Sequence, residues 1–137
     1  MDLRDEITQT IRDQSILGFN FVRLTKWEDI LNRLGNRFLR NGSGDLDSIW
    51  LWERFRDPIT SKQPEDPLVW LRENLEPTVE YWFIATDEDG KYWVAEATGD
   101  SIIRVIEEMY CFEYYVADRG MNWIVCENHH NVFIHCS

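Results

Sequence analysis

Basic residues are scarce in the second half of this chain of 137 residues. Residues 69–137 carry 13 Asp and Glu but only 4 Lys and Arg, a net charge of −9, whereas residues 1–68 carry 12 and 10, a net charge of −2. A surface with this excess of negative charge repels phosphate polymers and attracts basic molecules. We therefore expect no nucleic acid among the partners, and we expect a basic protein partner.

Long hydrophobic runs and paired cysteines are also missing. No run approaches the ~20 apolar residues of a membrane span, and the N-terminal segment MDLRDEITQT has no hydrophobic signal core. Three cysteines, Cys111, Cys126 and Cys136, form an odd count without a closely spaced pair, which argues against a disulfide framework. These absences predict a cytoplasmic protein that does not associate with membranes.

The chain is nevertheless rich in residues that form a core. Apolar residues make up 44% of it and aromatic residues 14%, which is typical of a globular protein and not of a disordered one. A chain of this length buries roughly two-thirds of its unfolded surface when it folds. We expect a single domain over residues 1–137.

Helical periodicity dominates the first half. Leu3, Ile7 and Ile11 predict an amphipathic helix up to about Gln14. Thr25 and Glu28 match a capping box before a second helix, which the apolar spacing carries to about Arg40. The other segments are less regular. Residues 19–24 could be a short edge strand, and residues 48–56 are ambiguous between a strand and a short helix. Residues 57–67 are predicted to form a surface loop, and Asp66-Pro67 is predicted to begin a third helix.

Strand patterns dominate the second half. Residues 80–86 and 91–95 flank a turn that ends at Gly90, which predicts a hairpin. Helical spacing returns over 100–109, and three further strands are predicted at 111–117, 122–127 and 132–136. The predicted fold class is α+β: N-terminal helices followed by a meandering antiparallel sheet of about five strands (ββ-α-βββ), with the helices on one face.

All three histidines and two of the three thiols lie near the C-terminus. A four-residue loop would pair Cys126 with Phe133 and Ile124 with His135, so that Cys126 and His135 share a face while His129 lies at the loop tip. Cys and His are zinc ligands, so Cys126, His129 and His135 are an alternative metal site, and a small metal- or thiol-dependent enzyme is the alternative function. Four convergent ligands are not evident, and we expect no metal and no cofactor.

Acidic side chains are the candidates for partner binding. Asp87, Glu88 and Asp89 lie at the tip of the first hairpin, and Glu107 and Glu108 lie on the predicted helix 100–109. An exposed Trp or Tyr beside such acids would form a binding hot spot. No Gly-rich phosphate loop, nucleophile elbow or H-E-x-x-H motif is present. The sequence therefore favours a non-enzymatic protein-binding module, with a regulatory or structural subunit as a further alternative.

Several segments carry a resemblance: KWEDILNRL at 26–34, WLWE at 50–53, YWFIATDEDGKYWV at 81–94, and the aromatic run with CENHH within 112–134. Together they resemble an uncharacterised family of small acidic bacterial proteins, a domain of unknown function, which implies no activity. The order of helices before a meander also looks like the SUKH superfamily of bacterial immunity proteins, although the leading helix lacks an Asn-Gly-Gly-type turn. That likeness implies an acidic, non-enzymatic inhibitor of a basic toxin such as a nuclease.

Overall fold

The computed structural model describes residues 2–23, 25–47, 50–87, 89–109 and 112–137. In these ranges the α-helices are α1 (Leu3–Asp13), α2 (Trp27–Phe38), α3 (Pro67–Asn74) and α4 (Gly99–Glu108), with two short 3-10 helices at Gly42–Asp47 and Leu51–Arg54. The strands are β1 (Phe19–Phe21), β2 (Ile59–Lys62), β3 (Glu80–Thr86), β4 (Tyr92–Thr98), β5 (Glu113–Asp118), β6 (Ile124–Glu127) and β7 (Phe133–Cys136). No helix in these ranges has the length and apolar character needed to cross a membrane.

The strands form one antiparallel sheet in the order β1-β4-β3-β5-β6-β7-β2. This arrangement confirms the mixed helix-and-strand class and the five strands predicted in the second half. The expected total of about five strands is wrong, because the first half adds one strand at each edge. β1 pairs with β4 at one edge, and β2 pairs with β7 at the other.

β2 corrects the prediction of a surface loop over residues 57–67. Its four residues pair with β7 from Ile59 opposite Cys136 to Lys62 opposite Phe133, and all four are exposed. An edge strand needs only backbone hydrogen bonds along one side, so its side chains need not alternate between apolar and polar. The neighbouring ambiguous segment contains the 3-10 helix Leu51–Arg54.

Helices cover both faces of the sheet, and not one face as predicted. Side chains from α1, α3 and α4 pack with one face, here called the α4 face, which presents Phe83, Tyr114 and Val125. Side chains from α2 and the Leu51–Arg54 segment pack with the opposite α2 face, which presents Ile84 and Tyr115. Six of the seven residues of β3 are buried, as expected of a strand that is covered on both sides.

The first residues of α3 and α2 show which of the predicted side-chain caps form. Asp66 caps α3 as predicted: its side chain accepts a hydrogen bond from the Leu68 amide, with Pro67 in the first turn. The capping box at Thr25 and Glu28 is wrong, because α2 begins at Trp27 and has no side-chain cap. The amides of Lys26 and Trp27 donate instead to the carbonyl of Arg23, so this preceding turn satisfies them without a side chain.

Candidate functional site

A cleft of about 1160 Å³ opens at the end of the sheet where β3 and β6 finish and β5 begins. The N-terminus of α1 and the C-terminal end of α4 form one side. The turn after β3 and the loop between β6 and β7 form the rest of the rim. Its described lining residues are Asp2, Leu3, Glu6, Trp50, Thr86, Asp87, Asp89, Lys91, Ile106, Met109, Phe112, Glu113, Tyr114, Glu127, Asn128, His129 and Asn131.

Buried polar side chains are concentrated in this cleft. Five polar or charged residues are buried in the described part of the chain, and three of them, Thr86, Glu127 and Asn128, line it. Burying a polar group without full compensation costs about 1–3 kcal/mol. Core packing does not require several buried polar side chains at one place. We therefore identify the cleft as the candidate site.

Glu127 is the most buried carboxylate of the cleft, with 6% of the residue exposed. The hydroxyl of Tyr114 donates to its Oε1 at 2.7 Å, across the β5–β6 pair. The second oxygen, Oε2, accepts no hydrogen bond from the described residues. Burial raises the pKa of Glu127, and the Tyr114 hydrogen bond opposes that shift only in part.

Asn128 follows Glu127 and shapes the loop beyond β6. Its Oδ1 accepts from the amides of His130 at 2.9 Å and Val132 at 3.2 Å. Asn131 adopts a left-handed backbone with φ 59°, which Asn tolerates better than most residues, and donates its amide to the Asn128 carbonyl. These bonds hold the turn between β6 and β7 and fix the floor of the cleft beside Glu127.

Glu113 anchors an aromatic group on the α2-face side of the cleft. Its Oε1 accepts from Trp52 Nε1 at 3.1 Å and from the His129 amide at 3.3 Å, and the His129 ring nitrogen Nδ1 lies 3.5 Å away. Burial is the largest influence on this carboxyl and raises its pKa. Trp50 is 44% exposed, and its ring centroid lies 5.1 Å from that of His129. This wall therefore presents an aromatic side chain to solvent.

The charge of the cleft is strongly negative. Among its described lining residues are six carboxylates and one lysine, Lys91. The carboxylates belong to Asp2, Glu6, Asp87, Asp89, Glu113 and Glu127. Low-dielectric walls focus the field of such a set, so the cleft is suited to cationic groups.

The sequence of the whole chain, residues 1–137, matches the model of one protein family, DUF6756. The chain belongs to DUF6756, a family of unknown function. No curated protein matches it. No solved structure matches it either. Membership therefore confirms the expected likeness to an uncharacterised domain, and it assigns no activity to this site.

The candidate partner-binding acids of the DUF6756 chain separate into two places. Asp87 and Asp89 line the cleft, and Asp87 also holds the turn by accepting from the amides of Asp89 and Lys91. Glu107 and Glu108 are exposed on α4 and are not among the lining residues; Glu107 lies 3.8 Å from Arg72 on α3. Glu88 falls outside the described residues. Sequence reasoning missed Glu113 and Glu127, because it sought acids only in turns and on an exposed helix face.

The alternative metal set of the DUF6756 chain is not brought together. Cys126 lies opposite Ile134 and His135 opposite Val125, one position away from the predicted register. Side chains alternate along a strand, so Cys126 points to the α2 face and His135 to the α4 face, where its ring lies 6.2 Å from that of Trp123. Cys126 is fully buried and burial raises its pKa, which keeps the thiol protonated. No group of three or more potential metal-ligating side chains occurs in the described part of the chain.

Proposed function

We propose that this chain is a non-enzymatic binding module for a basic protein, and that the acidic cleft receives basic side chains of that partner. The observation that carries the proposal is the described lining of the cleft, with six carboxylates against one lysine and with Trp50 exposed at its wall. Negative charge speeds the encounter with a basic surface, and an aromatic anchor slows dissociation.

The charge distribution supports the same partner class. The net charge of −9 in residues 69–137 extends the field of the cleft beyond its own walls. The most concrete form of the proposal is an immunity-type inhibitor of a basic toxin such as a nuclease, in the bacterial cytoplasm. The likeness to SUKH proteins belongs to this hypothesis and rests on the element order and the charge.

The alternative, a thiol- or metal-dependent enzyme at residues 126–136, has less support. Cys126 is fully buried, and Cys136 is buried with its thiol donating to the Arg56 carbonyl. A nucleophilic cysteine needs access and a depressed pKa, whereas burial raises the pKa of both thiols. The cleft beside this segment is lined by carboxylates, two Asn amides, the His129 ring and aromatic side chains, and neither Cys126 nor Cys136 is among its described lining residues.

Two double variants with the same change in charge test the proposal. Glu6→Gln with Asp89→Asn removes two exposed carboxylates of the cleft rim, and Glu107→Gln with Glu108→Gln removes two exposed carboxylates of α4 outside the cleft. Immobilised chains would capture proteins from the native host at low salt, and association rates would be measured with each captured protein.

We expect the wild type and the α4 variant to retain the same basic protein, with an association rate that falls as salt rises. The cleft variant should associate several-fold more slowly at low salt. Equal loss in both variants would show that net charge alone attracts the partner. Capture of no basic protein, or an association rate indifferent to salt, would contradict the proposal.

A further inference from the structure

We infer that the α4-face half of the cleft is a pocket for an alkyl chain ending in a primary ammonium group, with Glu127 as its counter-ion. This inference rests on the proposed function and names the group that the cleft would take from a partner. The same chemistry belongs to a lysine side chain and to a free aliphatic diamine.

The position of Glu127 defines this pocket. Glu127 lies opposite Tyr114 in the β5–β6 pair, and cross-strand partners share a face. Tyr114 belongs to the core of the α4 face, so Glu127 opens to the side of the sheet that α1 and α4 cover. Glu127 is more than nine-tenths buried and lines the cleft, and its Oε2 accepts no hydrogen bond from the described residues.

The walls of this pocket are apolar. Leu3 at the start of α1, Ile106 on α4, and Met109 and Phe112 beyond α4 line the same cleft. Three of them, Leu3, Met109 and Phe112, pack against the core of the α4 face. Burying a methylene chain along such walls is favourable, because it removes apolar surface from water. A long stem with a charged end suits this combination of walls and floor.

The hydrogen bond from Tyr114 favours ammonium over guanidinium. A guanidinium binds a carboxylate best through two parallel bonds to both oxygens. Tyr114 already occupies Oε1 of Glu127 at 2.7 Å, which leaves Oε2 for the ligand. An ammonium group is a point charge that needs one strong acceptor and can turn its other donors toward neighbouring oxygens. The carboxylates of Asp2 and Glu6 line the same cleft and add to its attraction for a cation.

The test measures the binding of four small probes to the full chain at low ionic strength, from the changes in amide chemical shifts. They are N-acetyl-lysine methylamide, 1,5-diaminopentane, N-acetyl-arginine methylamide, and N-acetyl-norleucine methylamide as a neutral chain of similar length. Each is titrated into the wild type, Glu127→Gln and Glu107→Gln. Gln keeps the size of Glu and an acceptor for Tyr114, and the unliganded spectrum of each variant reports its fold.

We expect the lysine probe to shift amides around Glu127 and Met109, and to bind Glu127→Gln at least about tenfold more weakly, because a charge-assisted hydrogen bond is lost. Glu107→Gln should bind it as the wild type does. The arginine probe should bind more weakly, and the norleucine probe should not saturate. Tighter binding of the diamine would assign the pocket to a free amine, and tighter binding of the lysine probe would assign it to a protein side chain.

Equal affinity of the lysine probe for the wild type and Glu127→Gln would overturn the inference, and so would equal affinity for the lysine and norleucine probes. Failure of this inference and of the proposed function are distinguishable. If no probe binds but a basic protein still associates through the cleft rim, the pocket assignment fails alone. If the ammonium probes bind at Glu127 but no basic protein associates, the proposed function fails alone.

Discussion

At the scale of single residues, Glu127 shows a conflict between stability and binding. A carboxylate at the end of an otherwise apolar strand loses hydration on folding, and one hydrogen bond from Tyr114 replaces only part of it. Binding sites commonly keep such groups at a cost in stability. A cation placed beside Glu127 would offset that cost, which is why the residue is central to the proposed pocket.

Replacing Glu127 by Gln should therefore stabilise the free protein at neutral pH. Burial raises the pKa of Glu127 in the folded state above its ordinary value of 4.5, so the folded state binds this proton more tightly than the unfolded state. The free energy of unfolding therefore falls as pH rises from 4.5 through the raised pKa of Glu127. Below 4.5 the burial of this carboxyl carries no such penalty. We expect Tm of Glu127→Gln to exceed that of the wild type by about 2–4 °C at pH 7, for a gain of ~1 kcal/mol.

Thermal unfolding followed by circular dichroism at pH 4 and pH 7 would measure this difference. The gap between the two proteins should close toward pH 4. Glu107→Gln, at an exposed position, should change Tm little at either pH. A Glu127→Gln protein less stable than the wild type at pH 7 would mean that the ionised carboxylate stabilises the fold, and would remove the argument for a functional penalty.

The sequence could not identify Glu127 in advance for a physical reason. In the segment NWIVCE it is the polar residue that ends a strand, which is also how an exposed strand end looks. Residues of α1 and α4 line the same cleft and come from other parts of the sequence, so no local pattern marks the position as buried. The turn acids Asp87 and Asp89 could be predicted, because turn residues such as Gly90 give a local signal.

At the scale of elements, local patterns predicted most helices and hairpins and failed where pairing partners decide. The aromatic and β-branched runs predicted β3 to β7, whereas β2 has four exposed residues and is a strand only because β7 offers it an edge. The run EYWFIAT over 80–86 carries apolar residues on both sides of the strand, which is the signature of a sheet covered on both faces. Helices on both faces could have been predicted from that run.

The start of α4 offers a test at this scale. A Cβ added at Gly99 would overlap the carbonyl oxygen of Glu76 and lie 2.9 Å from its carbonyl carbon, both of them backbone atoms that cannot rotate away. Gly99 also donates its amide to the Val79 carbonyl, which ties α4 to the segment before β3. We expect Gly99→Ala to lower the free energy of unfolding by about 1–3 kcal/mol through this overlap.

Urea unfolding would report the loss as a lower midpoint. Gly44→Ala is the matched control, because an added Cβ at Gly44 meets nothing within 4 Å. The control should stay within about 0.5 kcal/mol of the wild type. Equal midpoints for the two variants would show that the junction of α3, β3 and α4 yields easily, and that the fold does not depend on this close approach.

At the scale of the whole molecule, the charge asymmetry read from the sequence and the cleft found in the structure describe one electrostatic feature. The net charge of −11 is predictable from composition, but the place in the fold where the negative charge is concentrated is not. Asp2 and Glu6 come from the less acidic half and join four carboxylates from the other half at the end of the sheet. The fold therefore concentrates charge beyond what the linear sequence displays.

This concentration should make the fold more stable when salt is added. The described residues contain few ion pairs, at Arg72–Glu107 and at Arg119 with Glu80 and Glu96, so salt screens more repulsion than attraction. Raising NaCl from ~0.01 M to ~0.15 M shortens the screening length from ~30 Å to ~8 Å. We expect Tm to rise by about 2–4 °C over that range, which corresponds to a decrease of ~1 kcal/mol in the electrostatic repulsion of the folded state.

The two double variants locate the repulsion. Glu6→Gln with Asp89→Asn should start from a higher Tm at low salt and gain less from added NaCl, because it removes two of the carboxylates that line the cleft. Glu107→Gln with Glu108→Gln changes the net charge equally but acts outside the cleft, and should keep most of the salt effect. A Tm that falls with NaCl in the wild type would mean that attraction outweighs repulsion. The acidic cleft would then be stable without a cation, and the physical reason to expect one there would be lost.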